Sequence, residues 1–396
     1  MADGAPATFL LLLPPPSTVS VSALKAAYGE TLSEVLKEVA SATQETVRPA
    51  VLDIALAIPH LVGKDTEPRA SLYDRTQTII AAVYKLVCVL ATADNINIED
   101  SDGVDARIIP IAWSPDATST ANSPFGPVVD LVTLAGSGRQ WQYAFGVETD
   151  AGEAFVRAFV AAKQHASHGH HKHSNVEKST EGSASKYAES SSAHKKHHHT
   201  AVGGTFDHLH LGHKLLLTMT AFALDDSNGI ITLGITGDEL LKNKKHAEYL
   251  ESWSQRQSST YQFLSDIMDF NVPDSRSPVV EEVKNDGPNG HVVTVRYGNA
   301  LEFRFVEIVD PFGPTITDES ITNLVLSGET RSGGKAINEK RAEKGWSELQ
   351  VFEVDVLDPT SDATATEISD QSSYKDKLSS SAIRTRLAEK KASPTA

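Results

Sequence analysis

The chain has 396 residues, 40% of them hydrophobic, which is enough for two or three cored domains. A formal net charge of −16 excludes a general nucleic-acid binder, which needs a basic surface, but leaves room for a local basic pocket that takes a phosphorylated small molecule. Cys88 is the single cysteine, so there is no internal disulfide and no cysteine-based zinc site, which fits a reducing compartment.

The first apolar run, FLLLL at 9–13, is short, has no basic residue before it and leads into three prolines. It reads as a buried strand, since a signal peptide needs a basic start and a small-residue cleavage site. Further strands are predicted at 51–58, 107–113 and 141–148, and helices at 22–40, 72–92 and 151–164. The helix at 72–92 carries IIAAVYKLVCVLA, apolar on most sides, and is expected in a core. Strands alternating with helices over 1–164 indicate a separate N-terminal α/β domain. No cluster of acids, bases or glycines in it carries chemistry, so its role stays open. No apolar stretch approaches the roughly 20 residues of a membrane span, and a soluble cytoplasmic protein without membrane contact is expected.

Residues 165–199 differ sharply, holding nine of the fifteen histidines among Ser, Lys, Gly and Ala. Such a segment cannot bury enough apolar surface to offset its ordering entropy, so a disordered linker is predicted. Imidazoles this dense could hold zinc or nickel weakly, but a soluble spacer is the favoured reading. A second unit over 200–396 begins with a strand at TAVGG and a helix at 211–224. A strand at 229–236, a largely helical 237–270 and a β-pair from HVVTVRYG and LEFRFVEIV follow. Residues 273–298 are longer than the pattern needs and read as a surface insertion containing a strand. NLVLS (323–327) is a strand, 335–346 a helix, 349–357 a strand and 379–390 a closing helix. This order predicts a Rossmann-like, doubly wound parallel sheet.

GGTFDHLHLGH (203–213) stands at the first strand-to-helix turn of that unit. Gly203 and Gly204 let backbone approach a ligand, and the helix opening near Leu211 offers unpaired N–H groups and a positive end that favour phosphate. His210 and His213, three apart, share one helical face. Two imidazole donors at a helix start suit nucleotidyl transfer, where charge gathers on an α-phosphate under in-line attack. Weak metal ligation or coincidence is the plain alternative, and no complete metal ligand set stands out.

The longer stretch AVGGTFDHLHLGHKLLL (201–217) resembles the HxGH signature of the nucleotidylyltransferase superfamily, in the form carried by eukaryotic, fungal-like phosphopantetheine adenylyltransferases. LGITGDELLKNKKHAEYLESWSQR (233–256), VDPFGPT (309–315), LVLSGETRSGGKAINEKR (324–341) and KLSSSAIR (377–384) resemble further stretches of that family in the same order. The resemblance covers most of 200–390. It implies that His210 and His213 contact the ATP phosphates, with His213 stabilising the transition state. Gly203, Gly204, Thr205, Phe206 and Asp207 would bind beside the reacting phosphates. Lys244 would be the mobile lysine, with Lys245 its rival. Ser379, Ser380 and Ser381 would hold the β- and γ-phosphates, Arg384 would neutralise them, and Asn338 and Arg341 would contact ATP or substrate. The implied reaction joins ATP, carried with magnesium, to 4′-phosphopantetheine, giving 3′-dephospho-CoA and pyrophosphate in coenzyme A biosynthesis. Other enzymes of that pathway are the expected protein partners. The alternatives are an HxGH enzyme acting with CTP and a phospho-alcohol or with nicotinamide mononucleotide, and a catalytically idle scaffold. SGETRSGGK has P-loop spacing wrong by one residue and Ala336 where Ser or Thr would bind magnesium, so no kinase activity is expected.

Overall fold

The computed structural model describes residues 6–43, 49–64, 67–98, 103–117, 123–169, 198–225, 229–272, 277–357 and 378–392. In the N-terminal unit the chain runs β1 (Thr8–Leu13), α1 (Val21–Thr43), β2 (Ala50–Ala57), α2 (Arg69–Ala93), β3 (Val104–Ile111), α3 (Leu131–Gly136), β4 (Tyr143–Gly146) and α4 (Asp150–Gly169). Its sheet has the order β3-β2-β1-β4, all parallel. A strand covered on both faces reads as a continuous apolar run. In β1, Phe9, Leu11 and Leu13 pack on the side of α1 and α2, while Leu10 and Leu12 pack with Phe155 and Phe159 of α4.

The C-terminal unit runs β5 (His199–Gly204), α5 (Leu211–Phe222), β6 (Ile230–Thr236), α6 (Trp253–Met268), β7 (Val279–Lys284), β8 (His291–Tyr297), β9 (Leu301–Ile308), β10 (Asn323–Ser327), α7 (Arg331–Glu343), β11 (Gln350–Val354) and α8 (Ser380–Ala392). The sheet order is β11-β10-β5-β6-β9-β8-β7. β11, β10, β5, β6 and β9 are parallel, and the β8–β7 hairpin adds an antiparallel edge. The doubly wound sheet is therefore present, the expected pair of β8 with β9 is antiparallel, and β7 extends it as a further edge strand. All six residues of β7 are exposed, so no buried face marks it in the sequence.

Two expectations shift. Within 237–270 the α-helix begins only at Trp253, because Ser252 and Gln255 form a reciprocal capping box that starts it there. Of the predicted linker, α4 and β5 take residues at its two ends, and 170–197 lie outside the described residues. By length and composition α2 could cross a membrane, but 72% of its apolar window is buried inside the protein, as befits a core helix.

The two sheets share one core. α2 packs on α5, and Tyr73 of α2 lies 6.2 Å from the ring of Phe222 in α5 and 4.7 Å from Phe352 in β11. α5 and α6 cover one face of the C-terminal sheet, and α7 packs on the other through Ile337 and Leu326.

Candidate active site

The strand order reverses between β5 and β10, and ligands of open α/β sheets lie beyond the carboxyl ends of the strands at such a point. A cavity of about 790 Å³ opens there, walled by the ends of β5 and β10 and by the start of α8. After Gly204 the chain turns through Phe206 and His208, whose φ angles are +53° and +48°. Phe206 is buried, and a Cβ on Gly204 would meet its ring at 3.1 Å.

His210 is the N-cap of α5 and makes no side-chain capping bond, so the first amides of α5 have no side-chain cap. The His210 and His213 rings stack at 3.9 Å with an interplanar angle of 19°. Gly212 makes this possible, since a Cβ there would sit 3.1 Å from the His210 ring. Nδ1 of each histidine is buried without a hydrogen-bond partner. Burial pushes His213 down to about 4 and His210 well below the ordinary histidine value, helped at His210 by the charges of His213 and Lys214. Both rings are neutral near pH 7, so each carries one N–H and one bare nitrogen, and the His213 ring is hydrogen-bonded to the His208 backbone. His208, the third histidine of the run, serves the loop: its Nε2 is 2.8 Å from the Tyr249 carbonyl and its N–H donates to Glu251.

The remaining expected residues divide. Gly203, Gly204, Thr205, Phe206, Lys244, Ser379, Ser380 and Ser381 all line the cavity with the two histidines. Lys244 is exposed there, whereas Lys245 is absent from the lining and its carbonyl accepts from Arg384. Ser380 Oγ donates to the Asp207 carbonyl at 2.7 Å, and Ser381 Oγ accepts from Arg384 Nη2 at 3.1 Å.

Four of the expected residues have partners inside the fold. Asp207 is fully buried and absent from the cavity lining; its carboxylate pairs with Arg384 and accepts the Glu251 N–H at 3.0 Å. Arg384 reaches the cavity wall, but its three nitrogens are engaged by Asp207, Ser381 and Lys245. It pins α8 to the signature loop, and these three bonds use three of its five N–H donors. Arg341, in the last turn of α7, is buried and donates to the carbonyls of Thr315, Asp318, Glu319, Ile321 and Ser347. Asn338 exchanges both amide bonds with the Leu349 backbone. Neither Asn338 nor Arg341 lines the cavity. A guanidinium or carboxamide suits carbonyl oxygens as well as phosphates, so residue type alone does not separate the two uses.

Ser327, Glu329, Thr330 and Ser332 line the β10 side of the cavity and were given no individual roles from sequence. Their signal was SGET placed directly after a predicted strand. Arg256, also without an assigned role, is fully buried and ties the Thr205 carbonyl (2.6 Å) to the Thr236 carbonyl (2.8 Å) and Asp238 (2.7 Å). Among the described residues no group of three His, Cys, Asp or Glu side chains is placed to hold a metal.

The family described as cytidylyltransferase-like matches residues 201–386, and a domain of unknown function, DUF8446, matches 1–184. The chain is 30% identical over 274 residues to the phosphopantetheine adenylyltransferase of Saccharomyces cerevisiae, covering 69% of this chain and 73% of that one. It is 29% identical over 186 residues to the phosphopantetheine adenylyltransferase of Pyrococcus abyssi, covering 47% and 88% respectively. An uncharacterized protein of Schizosaccharomyces pombe is 38% identical over 190 residues, and the chain spans 48% of its length. The doubly wound sheet, its switch-point cavity and these matches define a nucleotidyltransferase of the cytidylyltransferase-like class. Within that class, the chain belongs to the phosphopantetheine adenylyltransferase family.

Proposed function

We propose that the protein transfers the adenylyl group of ATP to 4′-phosphopantetheine, giving 3′-dephospho-CoA and pyrophosphate. A phosphate oxygen of the acceptor forms a bond to the α-phosphorus while the bond to the bridging oxygen of the β-phosphate breaks in line. The acceptor's second pKa near ~6 leaves it ionised at neutral pH, so no protein base is required. The observation that carries the reading is the stacked, neutral His210–His213 pair at the start of α5, facing the same cavity as the serine-rich start of α8. Fixed N–H donors and two helix N-termini stabilise charge that develops on phosphate oxygens.

Lys244, exposed on the lining, supplies a mobile cation. Ser379 Oγ has no partner among the described residues and is free for a terminal phosphate, while Ser380 and Ser381 hold the α8 start in place. Glu329 and Asp355 reach the cavity singly, so magnesium enters here as part of the MgATP substrate. The names of the budding-yeast and archaeal relatives support phosphopantetheine as acceptor.

The test is pyrophosphate release from the purified chain with MgATP, with and without 4′-phosphopantetheine, beside CTP and nicotinamide mononucleotide arms. Release only with ATP and phosphopantetheine is expected. Turnover with CTP or nicotinamide mononucleotide instead would replace the substrate assignment, and silence of folded protein would leave a binding or scaffold role.

A further inference from the structure

The N-terminal unit touches the candidate chemistry at one unusual place. Lys214 directly follows His213, and its N–H donates to the His210 carbonyl at 3.0 Å within the first turn of α5. Its side chain is 5% exposed and leaves the C-terminal unit altogether. Nζ donates to Asp105 Oδ1 at 2.5 Å and to the Ala106 carbonyl at 3.0 Å, both on β3 of the N-terminal sheet. Asp105 also binds Arg107 at 2.7 Å, and Arg107 reaches back to Asp266 of α6 at 2.7 Å. Charges from the two units thus alternate in one network behind the histidine turn. Burial alone would raise the Asp105 carboxyl, but Arg107 and Lys214 outweigh it and hold it well below the carboxylate range.

Lys214 is buried and Asp105 half-buried, and an ion pair withdrawn from water in this way adds little stability, because apolar residues of similar volume do as well or better. What it adds is direction. The α2–α5 contact is mainly apolar, with one Tyr84–Thr218 hydrogen bond and Arg69 over the Phe222 ring near its far end, whereas at the first turn of α5 Lys214 is held on β3 by two oxygens.

We propose that the N-terminal unit is a positioning module for the transfer reaction, with Asp105 as its working residue. Through Lys214, Asp105 fixes the rotation of the first turn of α5 and hence the aim of His210 and His213 into the cavity. Asp105 touches no substrate; it is a positioning residue, and its assignment rests on the adenylyl-transfer reading above.

The experiment places Asp105→Asn in the full chain. Misplacement of catalytic groups by about 1 Å costs up to about a hundredfold in rate. The expected result is a kcat per folded molecule lowered about tenfold or more, with the ATP KM within about twofold, since transition-state contacts alone are lost. In a His213→Ala background the same substitution should cost nothing further. An unchanged kcat with a lowered melting temperature would reduce Asp105 to a structural role, and so would an equal loss in the His213→Ala background. If Asp105→Asn does not fold, Asp105→Asn with Lys214→Met removes both charges and is expected to show the same kcat loss. Imidazole nitrogen resonances of His210 and His213, recorded without substrate, separate this inference from the reaction. Should wild-type protein release no pyrophosphate, the reaction fails, while a resonance shift in Asp105→Asn still supports positioning; unshifted resonances would overturn it.

Discussion

Two sheets whose parallel strands have the same winding lie in this chain, and their switch points differ in kind. β1 and β5 are each the first strand of their unit, and each is flanked by a strand that returns across it, β4 and β10. Beyond β5 the chain leaves through Gly203, Gly204 and Thr205 into a helix with no side-chain cap, so backbone N–H groups face a cavity. Beyond β1 it leaves through Pro14, Pro15 and Pro16, which have no N–H to offer. The Pro14 carbonyl is already taken by the Tyr28 hydroxyl at 2.7 Å. Past β4 the backbone closes so tightly that a Cβ on Gly152 would fall 2.0 Å from the Val147 carbonyl. Winding supplies a place for a ligand, and the composition of the two turns decides whether one can enter.

The largest effect that would break this comparison is expected at Arg384. Its pair with Asp207, with side chains 3% and 0% exposed, is what turns the β5 loop and α8 into one wall. Arg384→Ala strands a buried carboxylate, which costs about 3–5 kcal/mol in comparable cases. Urea unfolding should show that loss. A variant within about 0.5 kcal/mol of wild type would mean that solvent reaches Asp207, and that the wall does not depend on the pair.

His213→Ala comes next and acts on rate more than on fold. Removal of one preorganised donor costs about a hundred- to a thousandfold in kcat, or ~2.7–4 kcal/mol. Pyrophosphate release should fall by that factor, and the unfolding midpoint should drop by a smaller amount, since the ring's bond to the His208 backbone and its stacking on His210 are lost. Near-normal turnover would remove His213 from the chemistry and leave the β5 switch point as inert as the β1 one.

Much of this contrast was legible in the sequence, and the exceptions share a cause. β1 holds an unbroken apolar run and β2 one interrupted only by Asp53, and His210 and His213 are three apart after a glycine pair, so both strands and site histidines could be placed from local pattern. The inward partners of Asp207, Asn338 and Arg341 could not, because polar types that suit a ligand also suit buried backbone groups and ion pairs, and only burial tells them apart. The shared core of the two units was invisible for a similar reason: the apolar faces of α2 and α5 look the same whatever they meet. Nothing local in the sequence pairs Lys214 with Asp105, which lies 109 residues away on β3.

The smallest expected effect concerns acid, and it sharpens the comparison by locating it. Burial pushes His213 and His199 of the C-terminal unit down to about 4, and His210 well below the ordinary value. In the N-terminal unit only His60 behaves so among the described residues, driven by burial and then by Arg75. Histidines held neutral when folded but free to protonate when unfolded give stability that is complete above the unfolded value of about 6.5. As pH falls below that value the unfolded chain binds protons that the folded chain refuses, and the loss continues until the folded values near 4 are passed. Each fully refused proton steepens the slope by at most about 1.4 kcal/mol per pH unit, less wherever water reaches the ring. Urea midpoints should therefore be level from pH 8 to 7 and decline from 6.5 to 5. His199→Gln should flatten the decline more than His60→Gln, because His199 lies deeper, between Ser320 and Thr232. Equal flattening by the two would place the acid sensitivity in the shared core, and a level profile down to pH 5 would mean that the folded histidines take up protons after all.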